Sequence, residues 1–288
     1  MNADHPIKDF ETPNKPTWCP GCGNFGIWTA LKQALAELGK EPHETVVVFG
    51  IGCSGNEANF VRAYGFHGLH GRALPLAEGI ALANHGLTTV VVGGDGDGYG
   101  EGMAHFIHTI RANPNITYLV HNNQVYGLTK GQASPTSMRG FATPSTPQGA
   151  VDAPINPVAL ALAAGAGFVA RGFAGDATHL TQLIKEAVTY RGLGFVDILQ
   201  HCVTFNHTNT YMWFYQRIEK LESIKHDITN REAAWVQSQR DIEKIPIGVF
   251  YKKEQQTLED GYPILSSTPL VKQSVEKRDL RPLFATLQ

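Results

Sequence analysis

The stretch Thr88-Thr-Val-Val-Val-Gly-Gly-Asp-Gly-Asp-Gly98 decides the fold. Its first half is a near-continuous apolar run, which reads as a strand covered on both faces; a strand with one wet face would alternate polar and apolar residues. Its second half is glycine and aspartate, which end the strand at once. Ile116–Asn123 (ITYLVHNN) repeats the construction, and Thr45–Gly52 (TVVVFGIG) and Phe195–Gln200 (FVDILQ) are further buried-strand runs. Phe25–Leu38, Ala73–Asn84, Gly102–Arg111, Pro157–Ala166 and His179–Tyr190 carry helix-compatible periodicity between them. Pro157 suits a first helical position. Strands alternating with helices imply βαβ units, right-handed crossovers and a doubly wound, mostly parallel α/β sheet. Such a sheet gathers its ligands at the carboxyl ends of its strands.

Working outward, the chain divides into a core of residues 1–235 and a C-terminal arm or tail of residues 236–288, in which Ile245–Tyr251 (IPIGVFY) is the last strand-like run. The segment Gly131–Pro157, with five prolines and no periodicity, is a long loop of the kind that is usually functional or mobile. The 288 residues suffice for a substantial core, and 42% apolar with 17% charged residues excludes a disordered chain. Lys plus Arg at 24 against Asp plus Glu at 26 gives a formal charge of −2, so no basic footprint points to nucleic acid or an anionic membrane. No run is long enough to span a bilayer, and the polar N-terminus lacks the order of a secretory signal, so a cytoplasmic location is expected.

Gly-Asp-Gly at Gly94–Gly96 and Asn122-Asn123 both fall at carboxyl ends of strands, with Asp95 and Asn123 separated by 28 residues. Glycines let the backbone approach a diphosphate, and Asp95 offers a hard oxygen to Mg²⁺. Asn123 adds a neutral oxygen and the Val125 carbonyl a third, so diphosphate oxygens and water would complete an octahedron. Alone, each half is an ordinary turn; together they read as a magnesium-diphosphate site, against the plainer reading of two structural loops.

Four cysteines stand at Cys19, Cys22, Cys53 and Cys202, the first two in Cys-Pro-Gly-Cys. Four thiolates suit either zinc or an iron–sulfur cluster, and any one of them could equally be a buried inert thiol. A thioredoxin-like pair is weaker, because no strand precedes Cys19. The residues themselves leave zinc and cluster open.

The ordered series Trp18-Cys-Pro-Gly-Cys-Gly23, Gly50-Ile-Gly-Cys-Ser54, His70-Gly-Arg-Ala73, Gly94-Asp-Gly-Asp97 and Asn122–Gln132 (NNQVYGLTKGQ) resembles the β subunit of 2-oxoacid:ferredoxin oxidoreductases. The Gly-Asp-Gly and Asn-Asn pairing resembles the thiamine diphosphate signature that this family shares with transketolase-like enzymes. The resemblance implies the diphosphate-domain type of α/β fold and three cofactors: thiamine diphosphate, Mg²⁺ and a [4Fe–4S] cluster. It implies Cys19, Cys22, Cys53 and Cys202 as cluster ligands, and Asp95, Asn123 and the Val125 carbonyl as Mg²⁺ ligands. Gly52, Ser54, His70, Gly71, Gly96, Asp97 and Thr129 become cofactor neighbours, while Lys130 and His70 become catalytic candidates, Lys130 through contact with substrate or coenzyme A. An α subunit would supply the glutamate that activates the aminopyrimidine, in an (αβ)₂ assembly.

The implied reaction is coenzyme A-dependent oxidative decarboxylation of a 2-oxoacid with single electrons passed to ferredoxin, or its reverse. His226-Asp-Ile-Thr and Ile245–Tyr251 resemble 2-oxoglutarate-type members more than pyruvate-type ones. A pyruvate-type or broad-range member, a thiamine-dependent lyase or synthase without redox chemistry, and a non-enzymatic metal-binding assembly protein are the rival readings. Plainer readings also stand beside individual residues: His70 and Arg72 as caps of the helix at Ala73, Lys130 as a surface lysine, His67, His105, His108 and His121 as packed or solvent-facing, and Phe60, Tyr64 and Phe66 as core or interface.

Overall fold

The computed structural model describes residues 7–240, 242–265, 268–274, 279 and 281–286; the other positions of the two expected segments lie outside the described residues. After α1 (Asn24–Glu37), strand β1 (Thr45–Phe49) leads to the short β2 (Tyr64–His67), then α2 (Ala73–Ala83) and β3 (Thr88–Gly94). Next come α3 (Met103–Ala112), β4 (Thr117–Asn122), the long loop, α4 (Pro157–Ala164), β5 (Phe168–Phe173), α5 (Ala177–Thr189) and β6 (Gly194–Leu199). The chain continues through α6 (Tyr211–Tyr215), β7 (Ile218–Lys220), α7 (Arg231–Ser238), β8 (Ile245–Lys252) and a last short helix, α8 (Arg281–Ala285).

The strands form one sheet in the order β2-β1-β3-β4-β6-β5-β8-β7. The first six run parallel, as the near-continuous apolar runs require. β8 pairs antiparallel with β5, and β7 pairs parallel with β8. Residue alternation sorts the sheet's side chains into two cores. Val47, Phe49, Val90, Val92 and Leu119 pack under α1 and α5. Val46, Val48, Val91, Tyr118 and Val120 pack under α2, α3, α4 and α7. Each fully buried Val, Leu or Phe contributes about 2 kcal/mol against leaving it in water, which fixes the register: a slip of one residue would exchange the two faces.

Helix α4 shows how local chemistry sets a boundary. The Asn156 side chain accepts from Ala159 N at 3.1 Å, Pro157 takes the first helical position, and Gly165 ends the helix at φ 97°. Its sequence, PVALALAA, is apolar all round because α3 and α7 pack on it as well as the sheet.

Residue 235 lies inside α7, and Ile245–Lys252 is a strand of the sheet. Two strand expectations are corrected. The first strand stops at Phe49 rather than Gly52, because Gly50–Ser54 turns away to build a site. Strands β2 and β5 lie where no strand is expected: β2 is exposed along its length, and β5 carries Arg171 amid apolar residues, paired in register with Asp197 of β6.

Strand order places the site. From β1 the chain goes outward to β2, then returns across β1 to β3. The loops leaving the carboxyl ends of β1 and β3 therefore diverge and open a crevice, the switch point where doubly wound sheets bind ligands.

Candidate functional site

The crevice is built from three strand ends. β3 ends at Gly94, and Asp95 opens the π-helical turn Gly96–Glu101 that leads to α3. Asp95 is 1% exposed. Its Oδ2 accepts from Ser134 Oγ at 2.5 Å and Thr136 Oγ1 at 2.7 Å. Burial pushes its carboxyl up to about 6, while these two hydroxyls act in the opposite direction. β4 ends at Asn122, and Asn123 Oδ1 accepts from Val125 N at 3.1 Å, holding Gln124 in the left-handed region at φ 60°.

The third strand end is the turn after β1. Asp97 Oδ1 accepts from Ile51 N at 3.0 Å and Gly71 N at 2.8 Å, so one carboxylate ties the Gly-Ile-Gly-Cys turn to the His70-Gly71 turn. Gly50 is required there, because a Cβ would overlap Asp97 Oδ2. Gly71 turns at φ 72° to aim its N–H at the carboxylate. His70 Nε2 stands 3.8 Å from Asp97 Oδ1 and 3.5 Å from Glu101 Oε2. No side chain caps α2, and Arg72 instead pairs with His105 at 2.8 Å, so the capping reading of His70 and Arg72 is not what the structure contains.

Gly52, Ser54, His70, Asp95, Gly96, Asp97, Asn123, Val125 and Thr129 all line one cavity of about 120 Å³. Whole-ligand pockets begin at roughly 300 Å³, so this cavity is smaller than a pocket for a whole ligand. Ser54 Oγ has no hydrogen-bond partner among the described residues despite being enclosed, which leaves a donor free for an anion. Lys130 lies outside this cavity, at φ 80°.

Lys130 lines instead a neighbouring cavity of about 220 Å³, ringed by Cys19, Cys22, Cys53 and Cys202. All four thiols are free. Cys22 N donates to the Cys19 carbonyl at 3.0 Å, closing the turn that brings these two together. Trp18 Nε1 donates to the Cys53 carbonyl at 2.7 Å and fixes the third. A Cβ at Gly127 would stand 3.5 Å from Cys53 Sγ and 3.9 Å from Cys202 Sγ, so glycine there leaves the sulfurs their room. Burial, reinforced by the Cys22, Cys202 and Cys19 thiols, pushes the Cys53 thiol up to about 11. The Cys22 thiol is also raised, chiefly by burial. Two of the four clustered thiols, Cys22 and Cys53, thus resist ionisation, and a cationic group beside them would act in the opposite direction. Among the described residues no three His, Cys, Asp or Glu side chains close around a point that could hold a single metal ion; the thiols surround a volume.

Cys53, Asn123, Gly127, Leu128 and Gln200 line both cavities and form the wall between them. Gln200 escaped the sequence reading, yet its Nε2 donates to Cys22 Sγ at 3.4 Å. Its position at the carboxyl end of β6 was the available signal. Ser134 and Thr136 were also missed, since they lie in a loop with no periodicity. So was Glu57: its Oε2 lies 3.8 Å from Nε2 of His121, a residue of the cavity lining, and both residues are fully enclosed. Burial pushes Glu57 up to about 8, with Lys32 opposing, and holds His121 neutral by lowering it to about 3.

Known proteins share both the sequence and the fold. A family model described as thiamine pyrophosphate enzyme, C-terminal TPP binding domain, matches residues 50–198. A second family model, for the C-terminal part of the pyruvate ferredoxin oxidoreductase beta subunit, matches residues 202–267. The chain is 47% identical over 249 residues to the 2-oxoacid:ferredoxin oxidoreductase subunit beta of Saccharolobus solfataricus, covering 82% of each. It is 39% identical over 245 residues to the 2-oxoglutarate synthase subunit KorB of Archaeoglobus fulgidus, covering 85% of this chain and 88% of that one. Among solved structures it superimposes with a TM-score of 0.91 and 37% identity on a chain of the 2-oxoglutarate:ferredoxin oxidoreductase of Magnetococcus marinus, covering 99% and 97% of the two chains. That structure was determined with 2-oxoglutarate, coenzyme A and succinyl-CoA bound.

Proposed function

Because this chain belongs to the β subunits of the 2-oxoacid:ferredoxin oxidoreductases, we propose that it forms, with an α subunit, a cytoplasmic enzyme for coenzyme A-dependent oxidative decarboxylation of 2-oxoglutarate, run forward or as reductive carboxylation. The observation that carries this reading is the shared wall: Cys53 borders both the Asp95 cavity and the four-thiol cavity. A carbon-centred reaction and a one-electron acceptor can then sit side by side.

The residues fit the groups that the family implies. Asp95 and Asn123, with the Val125 carbonyl, would hold Mg²⁺, and Ser54 Oγ would donate to the diphosphate. Cys19, Cys22, Cys53 and Cys202, which line one cavity, would hold a [4Fe–4S] cluster. When bound, thiamine diphosphate supplies the electron sink for loss of CO₂ and the cluster supplies one-electron capacity.

The chain's own contribution is orientation, electrostatics and exclusion of water. Asp97 locks the Gly50–Ser54 turn by accepting from Ile51 and Gly71, so the Ser54 hydroxyl and the Cys53 thiol point from one rigid turn. Gln200, hydrogen-bonded to Cys22 Sγ, supports the ligand set from β6. His70, between Asp97 and Glu101, stands at the cavity rim, and Gly71 anchors its turn. Thr129 Oγ1 donates to Gln132 Oε1 at 2.5 Å and fixes the loop that presents Lys130 to the thiol cavity, where its cation suits an anionic substrate or coenzyme A. The small volume of the Asp95 cavity supports a site completed by a second chain, which would supply the pyrimidine-side glutamate and join in an (αβ)₂ assembly; ferredoxin would take the electrons.

The test is ferredoxin reduction by the anaerobically purified αβ complex. Reduction that needs coenzyme A and proceeds with 2-oxoglutarate in preference to pyruvate supports the reading. Preference for pyruvate replaces the substrate assignment, and CO₂ release without ferredoxin reduction replaces the redox one.

A further inference from the structure

Two hydroxyls of the long loop reach the carboxylate that the proposed function assigns to Mg²⁺, and the inference rests on that assignment. Ser134 Oγ and Thr136 Oγ1, from positions 39 and 41 residues after Asp95, both bond Oδ2, at 2.5 and 2.7 Å. Among the described residues no other residue's hydrogen bond reaches Oδ1. All three side chains are buried, at 1% exposed for Asp95, 8% for Ser134 and 3% for Thr136.

Thr136 is itself held from the sheet. Its Oγ1 also lies 2.8 Å from Asn122 Oδ1, so its one proton is shared between two acceptors. Asn122 Nδ2 donates to Asp197 Oδ1 at 3.0 Å, and Arg171 Nε donates to Asp197 Oδ2 at 3.2 Å. The chain Arg171–Asp197–Asn122–Thr136–Asp95 thus crosses β5, β6 and β4 to the end of β3. Ser134 is held from the other side: its N–H donates to Ser137 Oγ at 2.8 Å, and Ser137 Oγ donates to the Gln124 carbonyl at 2.6 Å. That second anchor sits between the two other metal-ligand positions, Asn123 and Val125.

We propose that Thr136 and Ser134 are positioning residues for the metal: they occupy Oδ2 of Asp95 and so present Oδ1 to the cofactor cavity. Asp95 alone could rotate its carboxylate. With Oδ2 clamped by two hydroxyls, one oxygen faces the crevice, and the metal meets a preorganised ligand. Groups that orient a metal ligand in this way change metal affinity by about 10- to 100-fold when lost.

The experiment uses the αβ complex stripped of metal and thiamine, then titrated with Mn²⁺ at saturating thiamine diphosphate. Free Mn²⁺ is read by electron paramagnetic resonance, and thiamine retained is read after gel filtration. Thr136→Val, which keeps the shape and removes the hydroxyl, is expected to raise the half-saturating Mn²⁺ at least tenfold. Thr136→Ser should restore it, and Ser134→Ala should raise it independently. Iron content and unfolding temperature of each variant are recorded alongside. A purely structural clamp would lower the unfolding temperature and leave Mn²⁺ affinity unchanged, and that result overturns the proposal. Should Thr136→Val not fold, unchanged affinity in Ser134→Ala overturns it equally. Asp95→Asn separates the two levels: if it too binds Mn²⁺ normally, the assignment of Asp95 fails; if it alone loses binding, only the positioning role fails.

Discussion

Gln200 Nε2 donates to Cys22 Sγ at 3.4 Å from a side chain that lines both the Asp95 cavity and the four-thiol cavity. Hydrogen bonds to cluster sulfurs stabilise the more negative, reduced state and so raise the reduction potential. Gln200→Leu is expected to lower the potential of the bound cluster. A differential of about 1 kcal/mol corresponds to roughly 40 mV for a one-electron couple. Redox titration of the complex checks this, and an unchanged potential removes Gln200 from the electronic role.

Cys202 follows β6, far in sequence from the Cys-Pro-Gly-Cys turn. Cys202→Ser is expected to keep the fold, since the residue is only partly buried, while iron content and coenzyme A-dependent ferredoxin reduction fall. Normal iron and normal reduction in this variant would take Cys202 out of the ligand set.

Glu57 sets a pH dependence of stability. Its folded-state pKa, pushed up to about 8 by burial with Lys32 opposing, lies above the unfolded value of about 4.3. Its favourable contribution is therefore complete below about pH 4.3 and is lost as pH rises through 8. Glu57→Gln, which mimics the protonated carboxyl, should gain on the parent between pH 6 and pH 8.5, by on the order of 3 kcal/mol. Thermal unfolding at the two pH values measures it, and parallel curves for parent and variant would contradict it.

The buried pair Arg171–Asp197 anchors the sheet beneath the site, with Tyr99 and Asn122 also donating to Asp197 Oδ1, at 3.1 and 3.0 Å. Asp197→Ala leaves a buried guanidinium and two polar groups without their partner. A loss of about 3–5 kcal/mol is expected, read by denaturant unfolding; a loss below 1 kcal/mol would mean that water or rearrangement replaces the pair.

The sequence carried those parts of the fold and site that are local. Asp95 and Asn123 are legible because each directly follows an apolar run whose burial on both faces needs no tertiary information. β2 is not legible, because Tyr64 and Phe66 are exposed and the strand shows no burial pattern. β5 is hidden by Arg171, whose charge makes sense only beside Asp197 on the neighbouring strand. Ser134 and Thr136 reach Asp95 through folding alone, from a loop without periodicity. The cysteines name a four-thiol centre by count, but only the tertiary structure places Cys53 in a wall shared with the Asp95 cavity.

In the proposed function this one chain holds a thiamine diphosphate end and a cluster side by side. Quantifying iron, acid-labile sulfide, zinc and thiamine in the anaerobically co-purified αβ complex tests it most directly. About four iron, four sulfide and one thiamine diphosphate per chain, without zinc, are expected. Zinc in place of iron, or a complex that retains no thiamine diphosphate, would contradict it.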